Sequence, residues 1–473
     1  MGSKIPTQDV TPEKPASQTI ELYESRRRIY PKEVKGRFQR IRTVTLWLLM
    51  AAYFGFLWIP FNGQQLVYFD LPHRQFHLFG TTFWPQDFYL LALILIICAY
   101  GLFFVTTLFG RIWCGYTCPQ TAWTFIYMWI DERVEGSRNQ RIKLDRSPWN
   151  ANKIIRKTVK HTLWLLVALW TALTFVGYFY PIRELIPDIF TLSAASGWAY
   201  FWVFFFTAAT YINAGWMREQ VCLYMCPYAR FQSVMYDQDT WAVSYDFNRG
   251  EPRGKRKRGV NPKEAGLGDC VDCTACVQVC PTGIDIRDGL QYECIGCALC
   301  IDACDEIMDK MGYPRGLIRY ETEHQLEGQK THILRLKSVG YGVALMAIIG
   351  IFVYLLNARS PIDLDAIRDR GQLFQTNVHG WVENAYTLKL INMDTQPHRF
   401  RLNVRGIDGI RLVGDKHYEV KASSVLEVPV TVEVPPESLE NSRYDIEFEI
   451  TAEDNEALTK IIESRFIGPA RGY

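Results

Sequence analysis

Eight of the chain's 13 cysteines fall within 35 consecutive residues, in two runs: DCVDCTACVQVCP from Asp269 and ECIGCALCIDACD from Glu293. Cys270, Cys273, Cys276 and Cys280 are spaced x2-x2-x3 and followed by Pro281. Cys294, Cys297, Cys300 and Cys304 repeat that spacing, with Asp305 where the first run has proline. Three thiolates so close in sequence can hold three irons of one cubane from a single loop, while the fourth starts a helix leading away and ligates the other cubane. The doubled spacing therefore assigns Cys270, Cys273, Cys276 and Cys304 to one 4Fe-4S cluster, and Cys294, Cys297, Cys300 and Cys280 to a second. Zinc also takes Cys-x2-Cys pairs, but eight cysteines in a doubled x2-x2-x3 run disfavour it, and a reducing cytosol disfavours disulfides. A double cubane moves single electrons and little else, because the protein controls only ligation, hydrogen bonding and burial around the sulfurs.

Those electrons need a next stop, and four further cysteines offer one. WCGYTCPQ contains Cys114 and Cys118, and VCLYMCPY contains Cys222 and Cys226. Pro119 and Pro227 disfavour helix at the preceding cysteine and suit the first turn of a new helix, which puts Cys118 and Cys226 at helix N-termini. There the helix dipole is expected to lower the thiol pKa. If the two segments meet by pseudo-symmetry, Cys114, Cys118, Cys222 and Cys226 form a soft four-sulfur site, catalytic and metal-binding, suited to Cu(I), zinc or iron-sulfur iron. One Cys-x3-Cys pair alone would as readily be two packed thiols; its repetition at equivalent helix ends favours a metal or redox role. Met217 and Met225 could add thioethers, although apolar packing explains both, as it does Cys98 in mid-helix. A transmembrane cytochrome b needs histidines inside its helices, and only His161 lies even at a helix end, which disfavours haem.

These sites must be carried by membrane elements. No charged residue occurs between Arg42 and Asp70, nor over 88–110, 161–182, 189–217 and 338–358. Each block has the roughly 20 residues that cross the hydrocarbon as a helix. The residues before Arg42 contain no apolar run of their own, so no cleavable signal peptide is expected. Arg26, Arg27, Arg28, Lys32, Lys35, Arg37, Arg40 and Arg42 precede the first block, and the loop between the second and third is equally basic. The 61–87 and 181–188 loops hold only Arg74 and Arg183. By the positive-inside rule the N-terminus and the cysteine-rich segment are cytoplasmic and the C-terminal region is outside. The formal net charge of +2 averages these compartments.

The predicted organisation is a cytoplasmic tail over 1–40, a four-helix membrane region over 41–230, a linker and ferredoxin-type domain over 231–337, a fifth membrane helix over 338–358 and a periplasmic domain over 359–473. Arg249, Arg253, Lys255, Arg256, Lys257 and Arg258 form a basic linker, expected to lie solvated against anionic lipid rather than to bind nucleic acid. From about Gly371, alternating runs such as AYTLKLIN, HRFRLNV and YDIEFEIT between turn residues predict an antiparallel β-sandwich. His379, His398 and His417 are scattered there and read as surface or packing residues.

The order of parts, with RIWCGYTCPQTAW, VCLYMCPYARFQ, the doubled cysteine run and CDEIMDKMGYPRGLIRYETE, resembles the FixG/CcoG/RdxA family of cytochrome c oxidase accessory proteins. The likeness implies a multidomain membrane protein: an all-α transmembrane bundle of about five helices, a cytoplasmic bacterial ferredoxin-like insert with two 4Fe-4S clusters and a C-terminal all-β immunoglobulin-like sandwich. It further implies a bacterial inner-membrane cupric reductase, turning Cu(II) into Cu(I) during assembly of a cbb-type cytochrome c oxidase. Oxidase subunits or copper-delivery proteins would then be its partners, with membrane lipid around it and a cytoplasmic electron donor; homo-oligomerisation is left open. Two rivals are a quinol-linked relay resembling NapH and NosR, and a redox-sensing scaffold that performs no catalysis.

Overall fold

The computed structural model describes residues 28–469, except 62, 263, 265, 370 and 395. Of the predicted tail only the part from Arg28 is described, and Arg26 and Arg27 lie outside the described residues. In chain order the helices are α1 (Arg37–Gly55), α2 (Phe88–Phe109), α3 (Ile112–Tyr116), α4 (Pro119–Glu135), α5 (Arg138–Arg146), α6 (Ala151–Gly177), α7 (Ile182–Thr191), α8 (Gly197–Thr210), α9 (Pro227–Met235), α10 (Phe247–Gly250), α11 (Ala275–Val279), α12 (Leu299–Met311), α13 (Glu323–Leu326) and α14 (Leu336–Asn357).

Among the described residues, four helices are long and apolar enough to cross a membrane: Arg37–Trp58, Pro85–Phe109, Ala151–Gly177 and Leu336–Asn357. The uncharged block from Ile189 is organised differently. Its first residues end α7, Leu192 turns left-handed at φ 58°, and α8 starts afresh with the Ser196 hydroxyl accepting from the Trp198 N–H. After only 14 residues α8 passes into a π-helical stretch, Tyr211–Met217. The apolar block is therefore one short α-helix with a wide-turn extension, packed on α6, while α14 packs on α2. Large apolar side chains such as Leu95, Phe204, Val343 and Tyr354 point outward, as a hydrocarbon surround requires.

Buried charges tie the loops of the bundle together. Glu135, wholly buried, takes Lys157 at 2.8 Å and Lys160 at 2.7 Å. Asp131 on α4 pairs with Arg218 at 2.6 Å, just beyond the π stretch. The ferredoxin-type domain is built on α11, α12 and an antiparallel pair of strands, Ala242–Tyr245 with Ile318–Glu321, in register Val243 to Tyr320. It is seated on the membrane helices through Asp302 of α12, whose carboxylate accepts the backbone N–H groups of Phe38 (3.2 Å) and Gln39 (2.7 Å) at the start of α1. A carboxylate at a helix N-terminus satisfies donors that the helix itself leaves unpaired. The basic linker, expected against lipid, in part wraps this domain instead. Arg249 pairs with Asp269 at 2.6 Å, and Arg256 lies over the Tyr313 ring and donates to its hydroxyl at 2.9 Å.

Beyond α14 stands the expected sandwich. One sheet runs Arg411–Val413, Ser424–Val434, Val382–Asn392, Ile362–Arg368, with Gln375–Thr376 also pairing to the third of these; the other runs His417–Val420, His398–Arg405, Arg443–Ala452, Thr459–Ile467. Burial alternates strictly along His398–Arg405, and Leu388, Leu390, Phe400, Val432, Ile446, Phe448 and Phe466 fill the space between the sheets, the period-2 pattern of a half-buried strand.

Candidate iron-sulfur centre and four-thiol site

The two cysteine runs adopt one backbone design. In the first, Asp272 and Thr274 are left-handed at φ 50° and 56°; in the second, Gly296 and Ala298 occupy the same places at φ 65° and 60°. These reversals curl each loop so that its three cysteines can face a common centre. Each fourth cysteine lies among cysteines of the other run. Cys270, Cys276 and Cys304 share a core with Val243, Tyr245, Ile286, Ile301 and Met308. Burial raises the Cys304 thiol pKa, and the neighbours that raise it further are Cys276, Cys270 and Cys273. Cys297 belongs to a second core with Val34, Val279, Ile295 and Leu299. Burial pushes Cys294 up to about 12, with Cys297 and Cys280 adding to the rise. The same two, together with Cys294, act on Cys300 after burial.

Burial raises Cys276, Cys294, Cys297, Cys300 and Cys304, so their thiolates need the compensating charge of a metal, which deprotonates a coordinating thiol outright; Cys273 is exposed. Eight sulfurs on two loops of one backbone design are a donor set that fits two iron-sulfur cubanes.

The two Cys-x3-Cys-Pro segments are likewise copies of each other. Four residues before Cys114, Gly110 ends α2 at φ 55°, ψ −125°; four residues before Cys222, Arg218 ends the π stretch at φ 50°, ψ −111°. Cys118 (φ −60°, ψ 130°) and Cys226 (φ −80°, ψ 110°) each cap a helix whose first residue is proline. Cys114 lies in α3, Cys222 in a π turn, Val221–Met225. The structure brings all four together. Cys114 is raised by Cys118, Cys222 and Cys226, Cys222 by Cys118 and Cys226, and Cys118 by Cys226, so every pair is within electrostatic reach. The Cys114 thiol also donates to Gln232 Oε1 at 3.4 Å, from a glutamine that is wholly buried on α9.

The expected lowering of the thiol pKa at Cys118 is corrected. Burial raises it, against the backbone N–H groups of Thr121 and Gln120 that lower it; Cys114 and Cys222 are pushed up to about 12, burial being the largest cause in both. Desolvation of the charged form outweighs the helix terminus. Cys98 is exposed on α2 rather than packed, and Met225 is exposed beside Cys226.

What the spacing could not show is how the two sulfur sets meet. A Cβ placed on Gly115 would stand 2.9 Å from the Cys297 Cα and from the Gly296 carbonyl oxygen. The motif loop therefore lies directly on the second cysteine loop, backbone to backbone. The same contact explains why the second loop carries Gly296 where the first carries Asp272: a Cβ there would approach the Arg111 carbonyl oxygen to 3.1 Å. Tyr116 donates to the Cys297 carbonyl at 3.4 Å. Arg111, 4% exposed, donates to the carbonyls of Tyr292, Ala229 and Cys294; it holds down the pKa of Cys114, Cys222 and Cys294 alike. The glycines at 115 and 296 are the sequence traces of this junction.

The histidines are engaged elsewhere. His398 lies between Asp454 (2.6 Å) and Asp394 (3.2 Å), and His417 meets Glu453 at 2.6 Å. Asp239, His324 and His332 bring their ligating atoms within 4.8 Å of one another, a cluster that residues so distant in sequence did not reveal; Arg335 shares its carboxylate at 3.7 Å.

Comparisons with known proteins follow the same division. A family described as a 4Fe-4S dicluster domain matches residues 217–323, a 4Fe-4S binding domain matches 91–131, and the Ig-like fold at the C-terminus of FixG matches 352–469. Protein RdxA of Cereibacter sphaeroides is 41% identical over 427 residues, covering 86% of this chain and 87% of its own. Protein RdxB of the same organism is 40% identical over 409 residues, covering 82% and 84%. The nitrogen fixation protein FixG of Rhizobium meliloti is 38% identical over 424 residues, covering 82% and 80%. A crystal structure of a FixG-related protein from Vibrio parahaemolyticus is 37% identical, with a TM-score of 0.22, over 23% of this chain and 97% of that one.

Proposed function

The chain belongs to the FixG/RdxA family of membrane-associated iron-sulfur electron-transfer proteins, and from that membership we propose that it is a cupric reductase serving assembly of a cbb-type cytochrome c oxidase. When bound, the two cubanes supply one-electron storage at the cytoplasmic face of a bacterial inner membrane. Cys270 to Cys304 hold them, Arg111 and the apolar cores set their surroundings, and the Gly115–Cys297 contact carries charge to Cys114, Cys118, Cys222 and Cys226. There Cu(II), as substrate, takes one electron and becomes Cu(I), the ion that thiolate sulfur prefers, so ligand preference and electron flow run the same way. The sandwich, outside the membrane, would dock oxidase subunits or copper-delivery proteins.

The observation that carries this reading is the backbone contact of Gly115 with Cys297, which leaves no room even for a methyl group between the two segments. The test is Cu(I) formation by anaerobically purified, pre-reduced protein, followed with a Cu(I)-specific chelator. Cys114→Ser or Cys226→Ser should abolish it while the ferredoxin-type clusters remain; unchanged Cu(I) formation would instead leave the protein a scaffold with redox-active ornaments.

A further inference from the structure

We propose that Cys114, Cys118, Cys222 and Cys226 hold a third 4Fe-4S cluster, one whose ligands come in pairs from the two halves of the membrane repeat. This replaces direct ligation of copper by these thiolates with reduction at a cluster they hold, and takes from the copper reading only the direction of electron flow.

Three observations converge. The first is the donor set. Four half-buried thiols are gathered with every pair within electrostatic reach, presented by two segments of matching backbone: a left-handed residue, a cysteine four residues on, and a second cysteine capping a proline-started helix. The segment matched as a 4Fe-4S binding domain, 91–131, contains Cys98, Cys114 and Cys118. Cys98 is exposed in mid-α2, about 16 Å by helical rise from that helix's end at Phe109, so that segment alone offers two ligands where a cubane takes four. The other two are Cys222 and Cys226.

The second is spacing. A single tetrahedral ion with metal–sulfur bonds of about 2.3 Å sets its sulfurs about 3.8 Å apart. Among the described residues, no three of these thiols lie within 4.8 Å of one another, and neither do any three of the eight ferredoxin-type thiols. In neither site do three thiols close to single-ion spacing. A cubane opens its ligands in this way, because an iron stands between each thiolate and the centre.

The third is charge. Arg111 is 4% exposed, its two terminal nitrogens donate to main-chain carbonyls, and its Nε has no hydrogen-bond partner. Among the described residues no carboxylate pairs with it. A buried, uncompensated guanidinium is costly, and the thiols on which its charge acts are Cys114, Cys222 and Cys294, beside the hydroxyls of Tyr228 and Tyr236. An anionic cluster at the four thiolates supplies the missing counter-charge. Electrons would step from the cubane of Cys294, Cys297, Cys300 and Cys280 across the Gly115 contact to this third centre; each reduced centre then returns to its oxidised state by giving one electron to Cu(II).

Iron and acid-labile sulfide counted per chain in full-length protein from iron-57-grown cells, purified without oxygen, decide the matter. About twelve of each is expected for three cubanes, falling to about eight in the Cys118→Ser/Cys226→Ser double variant while the signals of the other two clusters persist. Cys98→Ser should leave the count unchanged. A wild-type count of about eight, with or without one copper or zinc, overturns the proposal, and about ten overturns it in favour of a two-iron centre. Twelve irons without copper reduction would remove the cupric reductase and leave the cluster standing; eight irons with copper reduction would do the reverse.

Discussion

Replacing Gly115 by alanine should pry the second cysteine loop off the membrane motif. The new methyl carbon would sit 2.9 Å from the Cys297 Cα and the Gly296 oxygen and 3.0 Å from the Cys297 nitrogen, all backbone atoms. Ordinary carbon contacts lie near 3.5–4.0 Å, so the loops must separate by about 0.5–1 Å. Overpacking of this kind typically costs about 1–3 kcal/mol, a factor of about 5–150 in the equilibrium between seated and lifted loop. If lifting is fast compared with attack by a chelator, the rate of iron loss tracks the lifted population. Anaerobic treatment of the purified protein with an iron chelator should then remove the irons held by Cys294, Cys297, Cys300 and Cys280 about 5–150 times faster than in wild type. Irons held by Cys270, Cys273, Cys276 and Cys304 should leave at the wild-type rate. Gly101→Ala, with nothing within 4 Å of the added carbon, serves as the control. Wild-type kinetics for both clusters in Gly115→Ala would refute the docking of the two loops.

Arg111→Gln removes the buried positive charge beside Cys114, Cys222 and Cys294. The midpoint potential of the adjacent cluster should fall by about 60 mV, a tenfold change for one electron, with the remote cluster little affected; equal shifts in both would speak against a local charge effect. The sandwich should show a pH dependence of its own. Burial works to lower the His398 pKa, but the carboxylates of Asp454 and Asp394 outweigh it and leave it raised, while the His398 contact depresses Asp454. A raised histidine stabilises the fold fully below its unfolded pKa of about 6.5 and loses that contribution as pH climbs through the folded value. A depressed carboxylate loses its contribution as pH falls through its own folded value. Resistance of the sandwich to proteolysis in the whole chain should therefore decline on the alkaline side of about pH 6.5, and His398→Gln should flatten that decline.

Local spacing made the cofactor ligands legible, because ligation by one loop is a constraint between residues two or three apart. The doubled spacing of Cys270 to Cys304 announced an iron-sulfur domain, and proline after Cys118 and Cys226 placed both at helix starts. The alternation of His398–Arg405 announced its sheet for a similar reason: the period is written into neighbours. Quantities set by distant packing were not legible. The dipole argument at Cys118 failed because burial, a tertiary property, dominates the thiol. The apolar block from Ile189 read as one helix because hydropathy does not register the left-handed break at Leu192 or the widening into π turns at Tyr211. Nothing local marks Gly115 and Gly296, whose contacts reach across some 180 residues of intervening chain.

Single-turnover oxidation of dithionite-reduced protein by one equivalent of Cu(II), freeze-quenched and read by EPR, tests the route most directly. The electron that removes the Cu(II) signal should come from the four-thiol centre and the cluster at Cys294, Cys297, Cys300 and Cys280, the cluster at Cys270, Cys273, Cys276 and Cys304 lagging behind, and Cys118→Ser/Cys226→Ser should leave both ferredoxin-type clusters reduced and copper cupric. Copper reduced first at the expense of the cluster at Cys270, Cys273, Cys276 and Cys304, or at an unaltered rate in the double variant, would contradict electron transfer through the four thiols.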